Sequence, residues 1–209
     1  MYRSAPLLLA LAGAPLLPAC AGEPTPTGVV LDGIPAGEAA SPDGRWTATV
    51  TAGGALRVES GSEGHAPRHD DRDVLPELAW SPDSRLLAYP RLRDGAETEL
   101  IVLDLTGEAP AAALIAWPCS SDRPAFSPDG RRLAFVSGCT GVASLWVVEL
   151  EAGAASAVQL TNVGVERVPH PPGQPPEGFV PVPSAGGLRW GADGLRWTAG
   201  GQDWTVSPP

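Results

Sequence analysis

One phrase recurs along this chain, and its recurrence limits the possible fold more than any other feature. Ala79-Trp80-Ser81-Pro82-Asp83-Ser84-Arg85-Leu86-Leu87-Ala88-Tyr89 aligns with Ala125-Phe126-Ser127-Pro128-Asp129-Gly130-Arg131-Arg132-Leu133-Ala134-Phe135. A shorter copy is Ala40-Ser41-Pro42-Asp43-Gly44-Arg45-Trp46-Thr47-Ala48, and a degenerate one is Trp190-Gly191-Ala192-Asp193-Gly194-Leu195-Arg196-Trp197-Thr198-Ala199. The turns start at positions 41, 81, 127 and 191, so the steps are 40, 46 and 64 residues. Periods of this size belong to repeat architectures, in which a module buries its apolar face only against a neighbouring module.

Each copy has the same physical grammar. A short strand ends in an aromatic or small residue and meets Ser-Pro-Asp-Gly. Proline presets φ at the second turn position, Asp bonds the nearby backbone, and Gly accepts φ > 0 without steric cost. A β-rich strand follows, such as Arg132 to Ser137, and a further strand comes shortly after: Ala55 to Glu59, Glu99 to Leu105, Ser144 to Leu150, Asp203 to Val206. Ile101-Val102-Leu103 and Trp146-Val147-Val148 are β-branched and aromatic runs of the kind strands prefer. With 25 Gly and 24 Pro, the chain favours many turns over long helices. An all-β chain is expected.

The aromatic residue, the Ser-Pro-Asp-Gly turn, the Leu-Ala-Phe strand, the Leu-Trp-Val-Val strand and Gln159-Leu160-Thr161 together resemble the WD40-like repeat of the TolB-like β-propellers. The resemblance covers most of residues 28 to 206, most clearly in the two middle copies. It implies blades of four strands, with the turn joining the innermost strand to the second. Blade 1 would run over about 36–73, blade 2 over 75–117, blade 3 over 122–161 and blade 4 over 186–206. The expected fold is a small propeller of about four blades. Val29-Val30-Leu31 would supply the outer strand that blade 4 lacks and so close the array. An insertion over 163–187, dense in proline from Pro169 to Pro183, accounts for the long step and is expected to be extended rather than part of a ladder.

The N-terminus reads as an export signal. Arg3 is followed by an apolar run from Ala5 to Leu17, too short to cross a bilayer as a helix. Leu17-Pro18-Ala19-Cys20 resembles the lipobox of bacterial lipoproteins. That likeness implies a signal peptide over 1–19, lipid attachment at Cys20 and a linker over 20–27, followed by the propeller over 28–209. Acyl chains on Cys20 would hold the chain at a membrane surface. Ala21 and Gly22, with no Asp after the cysteine, point by family analogy to the outer membrane, facing the periplasm. Cys119 and Cys139 are then expected to form a disulfide, as cysteine pairs in exported proteins usually do. The blade layout agrees, since it places both on one face of blade 3. All basic side chains past the signal are arginine, and they are outnumbered by 24 Asp and Glu. That balance argues against nucleic acid and anionic lipid as partners.

Catalytic chemistry is hard to find. There is no phosphate loop, no dinucleotide fingerprint and no Gly-x-Ser-x-Gly elbow. TolB-like propellers also precede serine peptidase domains, but the chain ends at Pro209 without such a domain. His65 and His69, followed by Asp70, Asp71 and Asp73, read as an acidic solvated loop rather than a metal site, and His170 stands alone. Asp43, Asp83, Asp129 and Asp193 recur because the turns recur, so we assign Ser41, Pro42, Asp43, Gly44, Ser81, Pro82, Asp83, Ser127, Pro128, Asp129, Gly130, Asp193 and Gly194 structural roles. Most of the seven tryptophans are expected to wedge neighbouring sheets together, with Trp117 the best candidate for exposure. No catalytic, cofactor or metal residue is expected. The expected function is binding or scaffolding of an envelope protein, or less plausibly of a glycan. The alternatives are a small envelope hydrolase with its site in the tunnel, or an accessory subunit whose ring another chain completes.

Overall fold

At the Ser-Pro-Asp turn, local chemistry becomes architecture. In the computed structural model the described residues are 36–61, 69–93, 97–107, 110–165, 177–184 and 187–209. The Ser41 hydroxyl donates to the Asp43 carboxylate at 2.7 Å and accepts from the Trp46 amide at 3.0 Å. The same Asp43 oxygen accepts from the Arg45 amide at 3.0 Å. Ser81, Asp83, Arg85 and Leu86 repeat this pattern, as do Ser127, Asp129, Arg131 and Arg132. The three serines are buried. The fourth turn position has φ of 72° at Gly44 and 70° at Gly130. In the middle copy Ser84 holds the same conformation at φ 61°. Its hydroxyl accepts from the Asp43 amide at 3.0 Å and so ties one turn to the previous one. The last copy lacks Ser and Pro and closes by a tighter hairpin in which Gly191 pairs with Gly194. A Cβ on Gly194 would lie 2.6 Å from the Val206 carbonyl, so only glycine fits.

The strands form four antiparallel sheets in chain order. Blade 1 holds β1 (Gly37–Ala40), β2 (Trp46–Val50), β3 (Leu56–Ser60) and β4 (His69–Asp71). Blade 2 holds β5 (Ala79–Trp80), β6 (Leu86–Leu92), β7 (Thr98–Asp104) and β8 (Ala112–Ile115). Blade 3 holds β9 (Ser121–Phe126), β10 (Arg132–Ser137), β11 (Ser144–Glu149) and β12 (Val158–Gln159). Blade 4 has three described strands, β13 (Arg189–Gly191), β14 (Gly194–Ala199) and β15 (Gln202–Val206). This is the all-β arrangement of a small propeller. Val29-Val30-Leu31, expected to complete blade 4, lies outside the described residues, as do Cys20, His65 and His170.

The middle strands of blades 2 and 3 are apolar on both faces because each of these sheets lies between two others. Leu87 and Tyr89 join Val50, Val58 and Ile101 between blades 1 and 2. On the opposite faces of blades 2 and 3, Ala88 and Leu100 meet Leu133, Phe135 and Val148. Ala134, Val136 and Leu145 meet Leu195 and Trp197 between blades 3 and 4. Each large side chain removed from water in these layers stabilises the fold by about 1.5–3 kcal/mol. Polar ties cross the same joints. The Trp80 indole donates to the Ala39 carbonyl at 3.0 Å. Thr98 exchanges two hydrogen bonds with the Ser121 backbone.

Two expectations need correction. Trp117 is not a free surface aromatic. Its ring sits 5.6 Å from Phe135 and 5.0 Å from Trp146, half-buried in the layer between blades 2 and 3. His69, Asp70 and Asp71 are not loop residues but form β4. The Tyr89 hydroxyl lies 3.2 Å from His69 Nε2 and donates to Asp71 at 2.8 Å. Arg91 then bridges Asp71 at 3.0 Å and the buried Glu99 at 2.7 Å. A buried tyrosine that needs a hydrogen-bond partner thus draws an acidic segment into the sheet.

Cys119, between β8 and β9, and Cys139, between β10 and β11, form a disulfide with their Cα atoms 5.3 Å apart. Of the 163–187 insertion, the described part over 177–184 carries no strand. Its backbone is held by Asn162, which both donates to the Val180 carbonyl and accepts from the Val180 amide. Val180 and Val182 pack with the layer between blades 3 and 4.

Candidate functional site

The first strands of the blades meet one another: β1 touches β5, β5 touches β9, and β13 touches β9. Between β5, β9 and β13 lies a hollow of about 370 Å³. Trp80, Phe126 and Trp190 line it, and all three occupy the residue just before the turn in their own repeat. Glu77, Arg123 and Arg189 bring charge to the same wall. Glu77 and Arg123 also occupy equivalent repeat positions, two residues before Ala79 and Ala125. One repeat position therefore presents opposite charges from adjacent blades.

Local backbone geometry accounts for the placement of Arg123. The β9–β10 ladder shifts register between Ala134 and Val136, so Arg123 and Pro124 bulge out of the pairing. Arg123 takes φ 53°, a left-handed conformation that costs a non-glycine residue about 1–2 kcal/mol. Packing must hold it there, and strain of this kind gathers at functional sites.

Polar groups around this bulge are poorly satisfied. Arg123 Nε lies 3.7 Å from Asp122 Oδ1, beyond hydrogen-bond reach. Among the described residues, four buried side-chain polar atoms have no hydrogen-bond partner. Three of them are Glu77 Oε2, Asp122 Oδ1 and Arg123 Nε, so the shortfall is concentrated at one place. Burial, with the neighbouring Asp122 charge, pushes the Glu77 carboxyl above its ordinary value. Burial also raises Asp122, with Arg123 opposing it. Polar groups left unsatisfied in a buried setting cost free energy until a partner supplies the missing bonds. Aromatic walls with a few convergent polar groups are the usual chemistry of a binding hollow.

The turn residues picked out from the sequence do not line this hollow. They close the hairpins beside it, and their side chains are committed to the turns. Among the described residues no group of His, Cys, Asp or Glu is arranged to hold a metal ion, and no helix is long and apolar enough to cross a membrane.

No known family profile matches the chain, and no curated protein matches it. Solved structures do. TolB from Acinetobacter baumannii is similar at 18% identity and a TM-score of 0.52, over 82% of this chain and 40% of that one. A protein from Agrobacterium tumefaciens assigned as TolB is 26% identical with a TM-score of 0.49, over 60% of this chain and 45% of that one. Oligopeptidase B from Leishmania major matches at 13% identity and a TM-score of 0.50, over 79% of this chain and 23% of that one. The chain spans less than half the length of the TolB chains that it matches. Four antiparallel blades, a turn motif repeated between their first two strands, and this likeness to solved propellers give the chain a TolB-like β-propeller fold.

Proposed function

We propose that this protein is a non-catalytic, lipid-anchored component of the bacterial cell envelope. It would face the periplasm from the outer membrane and bind a segment of a partner protein at the hollow between the first strands of blades 2, 3 and 4. One observation carries the reading: three unsatisfied buried polar atoms and an arginine in a left-handed conformation gather beside a hollow walled by aromatic residues. The cleavage and lipidation motif ending at Cys20 supports the location. A polypeptide suits these walls, since its amides both donate and accept and its apolar side chains fit against Trp80, Phe126 and Trp190.

Site-specific photo-crosslinking in the native envelope tests this. A photoreactive residue in place of Leu78, on the wall of the hollow, is expected to give one discrete protein adduct. The same group in place of Glu151, in an exposed turn, is expected to give none. Equal labelling from both positions would exclude the hollow as the binding site. Turnover of an ester, glycoside or peptide substrate that is lost on Glu77→Gln would favour the hydrolase reading instead.

A further inference from the structure

The hollow between β5, β9 and β13 is chemically uneven from one end to the other. Its walls follow the first strands of the blades, so position along the chain gives position along the hollow. Glu77 and Arg123 stand at the end where the chain enters these blades, and Trp80, Phe126 and Trp190 at the end beside the turns. Arg123 and Phe126 are three residues apart on β9. At about 3.3 Å per residue, less the shortening at the bulge, the two ends lie about 8–10 Å apart.

The entry end is short of positive charge. Glu77 lines the hollow, Asp122 lies beside it, and one arginine, Arg123, serves both. Glu77 Oε2 and Asp122 Oδ1 are buried without a hydrogen-bond partner. Burial raises the Glu77 carboxyl, the Asp122 charge adds to the rise, and Arg123 opposes it with a smaller effect. A carboxylate so placed is costly to keep ionised until a cation pairs with it. The turn end differs. The Trp80 indole is held by the Ala39 carbonyl, Phe126 packs in the layer between blades 2 and 3, and the Arg132 guanidinium lies over the Trp190 ring, 5.0 Å from its centre. Arg189, next to Trp190, adds a second positive charge there. This end therefore disfavours a cation and offers fixed aromatic surface to another ring.

We infer that the partner segment bound at this hollow is extended and carries a basic side chain two or three residues from an aromatic one. The inference rests on the hollow being the site where a partner segment binds. The basic group seats against Glu77, and the ring seats among Trp80, Phe126 and Trp190. An extended chain covers about 8–10 Å in about three residues, which matches the distance between the two ends. A guanidinium suits the basic position best, since its rigid fork of donors matches a carboxylate and keeps its charge when buried. A net charge of −10 also draws a basic segment toward the chain.

The test is fluorescence anisotropy with the full chain in mild detergent and labelled synthetic peptides. Each peptide carries one arginine and one tryptophan in a serine–threonine host, in both orders along the chain. A separation of two or three residues is expected to bind on the order of 10-fold tighter than adjacent residues or a separation of six. Glutamine in place of the peptide arginine should weaken binding by on the order of 10-fold. Glu77→Gln in the protein should abolish that preference for arginine and leave the affinity of the glutamine peptide unchanged. Glu77→Arg should instead prefer a peptide with glutamate at that place. Circular dichroism checks that each variant remains folded, which the half-buried setting of Glu77 allows. Binding indifferent to peptide charge or spacing overturns the inference, as does an acidic peptide that binds the unmodified protein best. Arginine peptides that neither bind nor compete with the adduct formed from position 78 also overturn it, while the adduct itself keeps the hollow as the binding site. Absence of the adduct together with absence of peptide binding removes both.

Discussion

Carboxylates occur in two settings in this molecule, and protein surroundings drive them in opposite directions. At the turns, Asp83 and Asp129 are held below the ordinary carboxylate range by bonds from Ser81 and Ser127, and Asp43 by the Arg45 amide. Beside the hollow, burial raises Glu77 and Asp122, and each leaves an oxygen without a partner. The turn acids recur with the repeat, and one structural role explains all of them. The hollow's acids do not recur as acids, and the fold gains nothing evident from them. In a repeat protein, then, the charged residue that breaks the pattern is the better guide to function than the one that keeps it.

The largest expected effect lies at the turns. Ser81→Ala removes a buried hydroxyl that donates to Asp83 and accepts from the Leu86 amide, and it should cost about 2–3 kcal/mol in denaturant unfolding. A cost below a few tenths would mean that the turns do not hold the blades. Next comes the hollow, where the sign reverses. Asp122→Asn should leave stability unchanged or raise it by up to about 1 kcal/mol at neutral pH, because it removes a buried charge that lacks full compensation. Adduct formation from position 78 should fall at the same time. A strongly destabilised Asp122→Asn protein would show that this acid serves the fold after all.

The same contrast predicts a pH dependence of opposite sign. Turn aspartates bind protons more weakly when folded. Their contribution is present above the ordinary value of 3.8 and is lost as pH falls through the lowered values. Glu77 and Asp122 bind protons more tightly when folded. Their contribution is present below the ordinary values of 4.5 and 3.8 and is lost as pH rises through the raised ones. Replacing both, as Glu77→Gln with Asp122→Asn, should therefore flatten the decline of stability from mildly acidic toward neutral pH and leave the acid limb intact. Thermal unfolding across that range measures it.

The smallest effect should come from Ser84→Gly, which relieves a left-handed serine but loses its bond from the Asp43 amide. The two changes should nearly cancel, to within about 0.5 kcal/mol. A larger loss would mean that the tie between turns matters more than the backbone cost.

The sheets were legible in the sequence because the turn chemistry is local. Proline, aspartate and glycine at set offsets announce a hairpin in the first three copies, and the degenerate copy at Trp190 to Ala199 also forms a hairpin, though by a tighter turn. The hollow was not legible, because it is assembled from three strands far apart in the chain. One signal was available: Glu77 and Arg123 occupy the same repeat position with opposite charge. It gains meaning only once β5 and β9 are known to touch. Trp117 was misjudged for a related reason. Its place next to Cys119 reads as a surface connection, whereas its ring turns back onto Phe135 and Trp146. Likewise β4 is a strand without strand-like residues, recruited by Tyr89 and Arg91 of the next blade.

The reach of two blade-to-blade bonds has an evolutionary consequence. The Ser84 hydroxyl meets the Asp43 amide and the Trp80 indole meets the Ala39 carbonyl, each across 41 residues, about the length of one module. Both acceptors or donors on the earlier blade are backbone groups, which any preceding blade would offer. A duplication of blade 2 would therefore carry both fasteners with it and ask for no matching substitution in the blade before it, whereas blade 3, with Gly130 and Phe126 at the matching positions, carries neither.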